Sequence, residues 1–491
     1  MNRQWIRTVL AMTILALAAG AAWANNLSIT NVTVSGRDNS TACVQFDIRW
    51  ENSWRYTNVN HDAAWVFFKV LPDGQTDWKH VILEGTGTTP TDYSIGTGTP
   101  IEMIVPTDRV GMFVRRSAEG AGTTSVQNVK AVWNFASNSL VKTDKVKLQA
   151  FGVEMVYVTA GNFKVGSGGT GVSEFYQTNA PGPNTSYEIA SEAAITVGTA
   201  SGNLYYASWD YGGDRGTPIP APFPKGYAAF YCMKYEITEG QWVDFFNTLT
   251  ASQKTTRDIT SSTGKNSDLV IDRNTVAWTS GDATTAARDR ACNYLSWADV
   301  CALADWAGLR PMTELEFEKA CRGPLTPVAD EYAWGDTTIS ATTAIVNDGT
   351  GTDTATGGNC NYDACSPDGP YRAGIFAVNG ATRAAAGASY WGIMELSGSV
   401  WERPVTVGNT TGRLFDGLHG NGALTAAGEA DVSTWPAPST ATGAGFRGGT
   451  WSSASVYARA SGRNSAAYVL AARTYYNGGR GLRSAPSGVG P

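Results

Sequence analysis

GFRGGTWSSASVYARASGRNSAAYVLAARTYYNGGRGLRS, the segment from Gly445 to Ser484, combines two glycine doublets with several arginines. Between the arginines, the run from Ser452 to Asn477 contains only serine, alanine, tyrosine, valine, glycine, asparagine, threonine and leucine. No cysteine follows Cys365. Because tyrosine, serine, glycine and asparagine are the residues from which adaptable binding surfaces are built, the run favours contact with a ligand.

Five blocks upstream of this segment have the patterns of short strands and helices. Two of them contain, in all, three hydroxyl residues placed three positions before an acceptor side chain, at Thr238 and Gln241, Ser296 and Asp299, and Thr313 and Glu316. This spacing is typical of a capping box, and apolar residues follow each box at three- and four-residue intervals, so three short helices are predicted. We interpret Glu314 and Glu316 as helix-start electrostatics and not as catalytic groups.

In their order along the chain, these blocks resemble the formylglycine-generating enzyme (sulfatase-modifying factor) family. The blocks are EMVYVTAGNFKVGS (154–167, similar to the family's opening strand pair), FYCMKYEITEGQWVDFFN (230–247), LSWADVCALADWAGLRPMTELEFEKACRG (295–323), YAWGD (332–336), YWGIMELSGSVWERPV (390–405) and the C-terminal segment. The resemblance implies an α+β fold, the C-type-lectin-like formylglycine-generating-enzyme fold, over residues 151–491. The sequence departs from the family at Ser399, where asparagine is usual, and at LRPMTE.

The catalytic cysteines of the family are missing. Its oxidases bind copper through two cysteines in the last motif, and the matching positions here are Ser453 and Ala458. A hydroxyl is a far weaker copper(I) ligand than a thiolate, and alanine is no ligand. We therefore expect no copper and a ligand-binding protein; the alternative is a family enzyme that acts without the cysteine pair.

The residue set of the C-terminal run is also the set reached when an asparagine codon is scrambled at its first two bases. In this respect the chain resembles the variable proteins written by diversity-generating retroelements, and ordinary drift in a chain rich in small residues is the alternative. The resemblance implies a diversified surface that binds an unknown protein or carbohydrate, with Arg459, Arg463, Arg473 and Arg483 as framework. The candidate binding residues are Ser452, Ser453, Ser455, Tyr457, Asn464, Tyr468, Tyr475 and Tyr476.

The family resemblance further implies structural calcium held by carbonyl and carboxylate oxygens. Glu402, in SGSVWE (397–402), is the candidate ligand, and Asn361 and Asp368 are candidates for a second site. The alternative for Glu402 is an ion pair with an arginine of the C-terminal strands.

Short alternating runs dominate residues 25–150 and predict an all-β sandwich domain of seven or eight strands, with an immunoglobulin- or fibronectin-like pattern. The runs are ITNVTVSG, CVQFDIRW, AAWVFFKVL, KHVILEG, IEMIVP, VGMFVRR, VKAVWNF and KVKLQAF. The sequence leaves the role of this domain open between spacing, docking and packing against the larger domain.

The N-terminus predicts export. Arg3 and Arg7 precede an apolar run that ends in Ala22-Trp23-Ala24, so residues 1–24 read as a signal peptide of a periplasmic, cell-surface or secreted protein. This apolar run is too short for a comfortable membrane span, and no later stretch is long enough. The length of 491 residues predicts two domains. The net charge of −6 predicts that the protein has no nucleic-acid partner.

Cysteine and histidine usage restricts the chemistry further. Cys360 and Cys365 bracket a polar loop and either close a local disulfide or remain thiols, whereas Cys301 and Cys321 fall on buried helix faces. The chain has only three histidines. They are too few, and too far apart, to predict a histidine iron centre or a supported catalytic triad.

Overall fold

The computed structural model describes residues 26–178, 185–207, 210–216, 218–378 and 380–491. The predicted signal peptide, residues 1–24, lies outside this part of the chain. Secondary structure is mostly β with few helices. Within these ranges, no helix has the length and apolar character needed to cross a membrane.

Each alternating run predicted in the N-terminal part contains a strand, although KHVILEG contributes only two residues. The strands are β1 (Ser28–Gly36), β2 (Thr41–Tyr56), β3 (Asn60–Pro72), β4 (Lys79–His80), β5 (Gly87–Thr88), β6 (Thr97–Gly98), β7 (Ile101–Val105), β8 (Met112–Arg116), β9 (Gly120–Asn134) and β10 (Val146–Val158). A short 3-10 helix, Phe135–Asn138, follows β9.

A hydrophobic core lies between two groups of these strands. One group pairs β2 with β1 and β9, and the other pairs β3 with β10 and β8. The period of two along each strand directs alternate side chains into this core. Phe46 and Trp50 enter it from β2, and Val66 and Phe68 enter it from β3.

Strand β3 is buried on both faces, which explains its continuous apolar sequence. Its other face, with Trp65 and Phe67, belongs to a second core that includes the helices of the C-terminal part. The Trp65 indole Nε1 donates a hydrogen bond of 2.7 Å to the carbonyl oxygen of Ala307. The N-terminal strands therefore pack directly against the larger domain.

Strand β10 carries the sheet from one part of the chain into the other. Its residues pair with β3 from Val146 to Val156 and with β15 from Met155 to Val158. Twelve strands of the described chain join this sheet, and the order along its main path is β18-β15-β10-β3-β2-β9-β6. The boundary expected between residues 150 and 151 falls inside β10, and the separate sandwich domain stays a prediction.

The C-terminal part has short strands, short helices and long connections. Its strands are β11 (Phe163–Val165), β12 (Tyr176–Gln177), β13 (Tyr187–Ile189), β14 (Leu204–Tyr205), β15 (Phe230–Met233), β16 (Ala344–Val346), β17 (Thr354–Thr356) and β18 (Leu482–Ser484). Its helices are α1 (Glu239–Phe246), α2 (Ala251–Arg257), α3 (Trp297–Trp306), α4 (Glu314–Arg322) and α5 (Thr410–Arg413), with 3-10 turns at Asp210–Gly212 and Ser455–Ala458. The block 154–167 supplies β10 and β11, but these pair with β15 and β13 and not with each other.

The three helices predicted from capping boxes are confirmed. Thr238, Ser296 and Thr313 are the N-caps of α1, α3 and α4, and each box is closed in both directions. Cys301 and Cys321 are fully buried, as predicted. All seven cysteines are free thiols in this structure, including Cys360 and Cys365.

Candidate functional site

A concave depression of about 370 Å³ lies at the surface formed by the C-terminal segment. Six of the eight predicted binding residues line it, namely Ser452, Ser453, Tyr457, Tyr468, Tyr475 and Tyr476. Trp401, Phe446, Ala454 and Ser465 complete the lining. The structure thus brings most of the predicted surface together in one place.

Two predicted residues do not line the depression. Ser455 begins the 3-10 turn Ser455–Ala458, and its side chain is partly buried. Asn464 is also partly buried, and its Oδ1 atom has no hydrogen-bond partner in the described chain. Trp401 and Phe446 were missed because their motifs were interpreted as scaffold; Phe446, two residues before the doublet Gly448-Gly449, offered a local signal, and Trp401 offered none.

Aromatic rings form a rigid floor and wall. The Trp401 ring centroid lies 5.6 Å from that of Phe446 and 6.1 Å from that of Tyr457, both edge to face. Tyr468 lies 5.9 Å from Phe446. Since edge-to-face pairs are favourable beyond the area that they bury, these rings are held in place before any ligand arrives.

Backbone hydrogen bonds fix the segment that carries Tyr475 and Tyr476. The carbonyl oxygen of Tyr475 accepts from Asn293 Nδ2 at 2.8 Å and from Trp451 Nε1 at 3.2 Å. The carbonyl oxygen of Tyr476 accepts from the backbone N–H of Trp401 at 2.9 Å. The Tyr475 ring packs against Trp451 and Tyr476 but remains 41% exposed, so a rigid backbone presents part of this ring to solvent.

The two positions that match the family's cysteines carry no reactive group. Ser453 Oγ lies 2.8 Å from Thr450 Oγ1, which also lies 3.2 Å from Ser452 Oγ. Ala458 is buried, and its carbonyl oxygen accepts from Ser397 Oγ at 2.6 Å. Among the lining residues there is no Asp, Glu, Lys, Arg, His or Cys. The depression offers contact area and hydroxyl groups but no thiol, carboxylate or imidazole for catalysis.

The arginines of the C-terminal segment point away from the depression into ion pairs. Arg463 Nε lies 2.6 Å from Glu314 Oε2, and Arg447 Nη1 lies 3.1 Å from the same oxygen. Arg447 Nη2 also pairs with Glu318 at 2.8 Å. All four side chains of this cluster are fully buried. Arg459, Arg473 and Arg483 pair with Asp330, Asp299 and Asp108 respectively.

Ion pairs explain why the first turn of α4 contains two buried glutamates, Glu314 and Glu316. Glu316 accepts from the backbone N–H of Thr313 and pairs with Arg310, which combines a cap with an ion pair. Burial alone would raise the pKa of Glu314, but Arg463, Arg447 and the backbone N–H of Val407 together outweigh burial and the pKa is lowered. Both glutamates therefore act in the framework.

The residues proposed for calcium lie in two settings. Glu402 is fully buried and forms an ion pair with Arg480, while its Oε2 atom has no hydrogen-bond partner in the described chain. Asn361 is buried, with Nδ2 donating to the Gly369 carbonyl oxygen at 3.1 Å and Oδ1 without a partner, whereas Asp368 is exposed. No group of three or more His, Cys, Asp or Glu side chains in the described ranges is arranged to hold a metal. The calcium sites stay a prediction.

Glu402 belongs to a buried acidic cluster with Glu236 and Glu395. Burial raises the pKa of Glu236 well above its ordinary value, and the charge of Glu402 raises it further. Burial also raises the pKa of Glu395 to about 7. Arg480 lowers the pKa of each of these carboxyl groups, but not enough to offset burial.

We expect Glu395 to make the stability of the protein depend on pH. Between its ordinary pKa of 4.5 and about 7, Glu395 holds a proton in the folded chain but not in the unfolded chain. The free energy of unfolding therefore falls as pH rises through this window, by about 3 kcal/mol at most. Urea unfolding at pH 5 and pH 8 should show a smaller fall for Glu395→Gln than for the unaltered protein. Equal falls would contradict the prediction.

One comparison with known protein families covers most of the predicted blocks. A sequence profile described as "Sulfatase-modifying factor enzyme 1-like domain" matches residues 138–475. No curated protein was found to match the chain. Among solved structures, the chain is similar to Treponema denticola variable protein 1, with 11% identity over 68% of this chain and 96% of that chain, and a TM-score of 0.32. The profile match covers more than half of the chain and reaches from β10 to the depression.

Proposed function

This chain belongs to the family of sulfatase-modifying factor enzyme 1-like domains, and we propose that it is an exported, non-catalytic ligand-binding protein of that family. The observation that carries this proposal is the depression at the C-terminal segment, which is lined by aromatic rings and hydroxyl groups. The scaffold we propose is the C-type-lectin-like version of the fold, preceded by a β-sandwich.

The chemistry of the depression supports binding. Its volume of about 370 Å³ is of the size that accepts a small molecule or a few side chains of a protein. Tyrosine and tryptophan supply large contact areas at a low cost in conformational entropy, and serine hydroxyls both donate and accept hydrogen bonds. Ser453 and Ala458 stand where the family's copper ligands would be, so the oxidase chemistry lacks its reactive atoms.

Within the C-terminal run, one group of residues lines the depression and another, the arginines, forms ion pairs outside it. This separation supports diversification of the surface. Eight of the ten lining residues belong to the run of restricted composition, and the two exceptions are Trp401 and Phe446. The framework arginines are committed to carboxylates elsewhere in the chain, such as Arg463 to Glu314 and Arg473 to Asp299. Substitution at the lining would therefore change the ligand without disturbing the fold.

Sequencing this gene across many isolates tests the proposal. We expect substitutions to concentrate at the lining positions, chiefly Ser452, Ser453, Tyr457, Tyr468 and Tyr475. The framework arginines should stay constant, because each forms an ion pair with a carboxylate outside the depression. A near-identical repeat of the 3′ end of the gene, beside a reverse transcriptase gene, should accompany the variation.

Two results would count against this function. Substitutions spread evenly over arginines and lining positions would contradict diversification. Copper-dependent conversion of a cysteine-containing sulfatase peptide by the purified protein would instead establish the oxidase activity, despite Ser453 and Ala458.

Structural calcium remains part of the proposal. Glu402 Oε2 and Asn361 Oδ1 are buried oxygens without a hydrogen-bond partner in the described chain, and oxygen ligands of this kind suit calcium. The ion pair of Glu402 with Arg480 competes with such a role.

A further inference from the structure

A second cavity, of about 380 Å³, lies where the N-terminal strands meet the helices of the larger domain. Its walls come from β3 and β10 on one side and from α1 and α3 on the other. It shares no residue with the depression at the C-terminal segment. The two parts of the chain build this cavity jointly.

Trp306, in the wall of the cavity, has a hydrogen-bond donor without a partner in the described chain. The donor is the indole Nε1, and Trp306 is only 6% exposed. Its orientation is fixed by Phe67 and Phe151, whose ring centroids lie 5.0 Å and 4.7 Å away. Leaving a buried donor unpaired is unfavourable, so a ligand acceptor here would be favoured.

Trp78 lies at the same cavity in a partly buried position. Its indole makes no hydrogen bond and no ring contact with any part of the chain that the structure describes. A half-exposed indole of this kind provides a flat apolar face for a ligand ring.

The polar lining is mixed and close to electrically neutral. Lys147 and Gln149 are alternate residues of β10, so their side chains share the face that borders the cavity. Gln241 uses its Oε1 atom to cap α1, which leaves its amide nitrogen available. Asp244 is already paired with Arg288 at 2.6 Å. The lining thus combines free donors, an amide that donates and accepts, and carboxylates that have counter-charges.

We infer that this cavity binds a neutral saccharide of one or two pyranose rings. A sugar ring has an apolar face that covers an indole such as Trp78, and its hydroxyls both donate and accept hydrogen bonds. A hydroxyl that reaches Trp306 Nε1 would satisfy its unpaired donor, and other hydroxyls would pair with the Gln149 amide, whereas a purely apolar ligand would do neither. This site is independent of the function proposed for the C-terminal depression, and it gives the N-terminal strands a direct part in binding.

Saturation-transfer NMR and calorimetry on the full chain test the inference. The probes are glucose, galactose, mannose, N-acetylglucosamine, maltose, cellobiose and lactose. We expect saturable binding of at least one probe and, for Trp78→Ala, roughly tenfold weaker binding at an unchanged melting temperature. Gln149→Ala should also weaken binding. Tyr56→Ala, which alters another exposed aromatic residue outside the cavity, is the matched control and should bind as the unaltered protein does.

Trp306→Phe retains a ring in the core but removes the Nε1 donor, and it should also bind more weakly. If that variant does not fold, Trp78→Ala decides the question. The inference is overturned if no probe gives saturable binding, or if Trp78→Ala and Gln149→Ala bind as tightly as the unaltered protein. Loss of sugar binding on Tyr475→Ala would also overturn it, because binding would then belong to the C-terminal depression.

Discussion

Replacing Glu314 by glutamine should lower the free energy of unfolding by about 3–5 kcal/mol. The Glu314 carboxylate lies 2.6 Å and 2.9 Å from Arg463 nitrogens and 3.1 Å from Arg447 Nη1. These side chains are fully buried, so solvent cannot compensate for a missing negative charge. Helix-start electrostatics alone would predict a loss of only about 0.3–1 kcal/mol, so the size of the effect separates the two roles.

The measurement is urea unfolding followed by circular dichroism, with Glu51→Gln as the control. Glu51 pairs with Arg49 at the surface, where both side chains are at least one third exposed, and its removal should cost less than about 1 kcal/mol. The pKa of Glu314 is lowered below its ordinary 4.5, so its contribution is present above that pH and is lost as pH falls further. A loss as small as that of the control would refute the framework role of the ion pairs.

Sequence signals that act over a few residues predicted the helices well. The boxes at α1, α3 and α4 each require only two side chains, three positions apart, and an apolar stripe behind them. Helix α2 has the same box, formed by Thr250 and Gln253, but was not predicted. Its sequence ASQKTTR contains no large apolar residue, so the pattern gave no stripe to find.

The lining of the depression could be predicted only in part. Tyr457, Tyr468 and Tyr475 stood out because the composition of a single run identified them. Trp401 comes from a distant segment and reaches the depression through a backbone bridge to Asn477. Such pairings depend on the tertiary fold and leave no mark at short sequence range.

The ion-pair partners of the framework arginines could not be predicted from the sequence, because these pairs also depend on the tertiary fold. Arg463 and Glu314 are 149 residues apart in sequence, and either could have been a surface charge. The N-terminal strands raise a related difficulty, because alternation predicts a strand but not what covers each face. The run AAWVFFKVL is apolar on both faces because β3 separates two cores; the continuous run indicates burial on both faces but does not identify what covers each face.

The glycine that opens the C-terminal motif should be nearly as sensitive as Glu314. A Cβ atom at Gly445 would lie 1.7 Å from the carbonyl oxygen and 2.3 Å from the carbonyl carbon of Ala466. These are backbone atoms, so a side-chain rotation cannot relieve the clash. The backbone N–H of Gly445 donates to Pro404 and that of Phe446 donates to Ser465, which ties the segment on both sides.

We therefore expect Gly445→Ala to lower the free energy of unfolding by more than about 3 kcal/mol, a loss measurable by thermal and urea unfolding. Gly490→Ala is the control, because a Cβ atom there meets no atom within 4 Å. Phe446 and Ser465 both line the depression, so the same displacement would deform its floor. A Gly445→Ala protein as stable as the control would mean that these segments shift freely. The shape of the depression would then not be fixed by the backbone, and our assignment of a rigid backbone to it would be wrong.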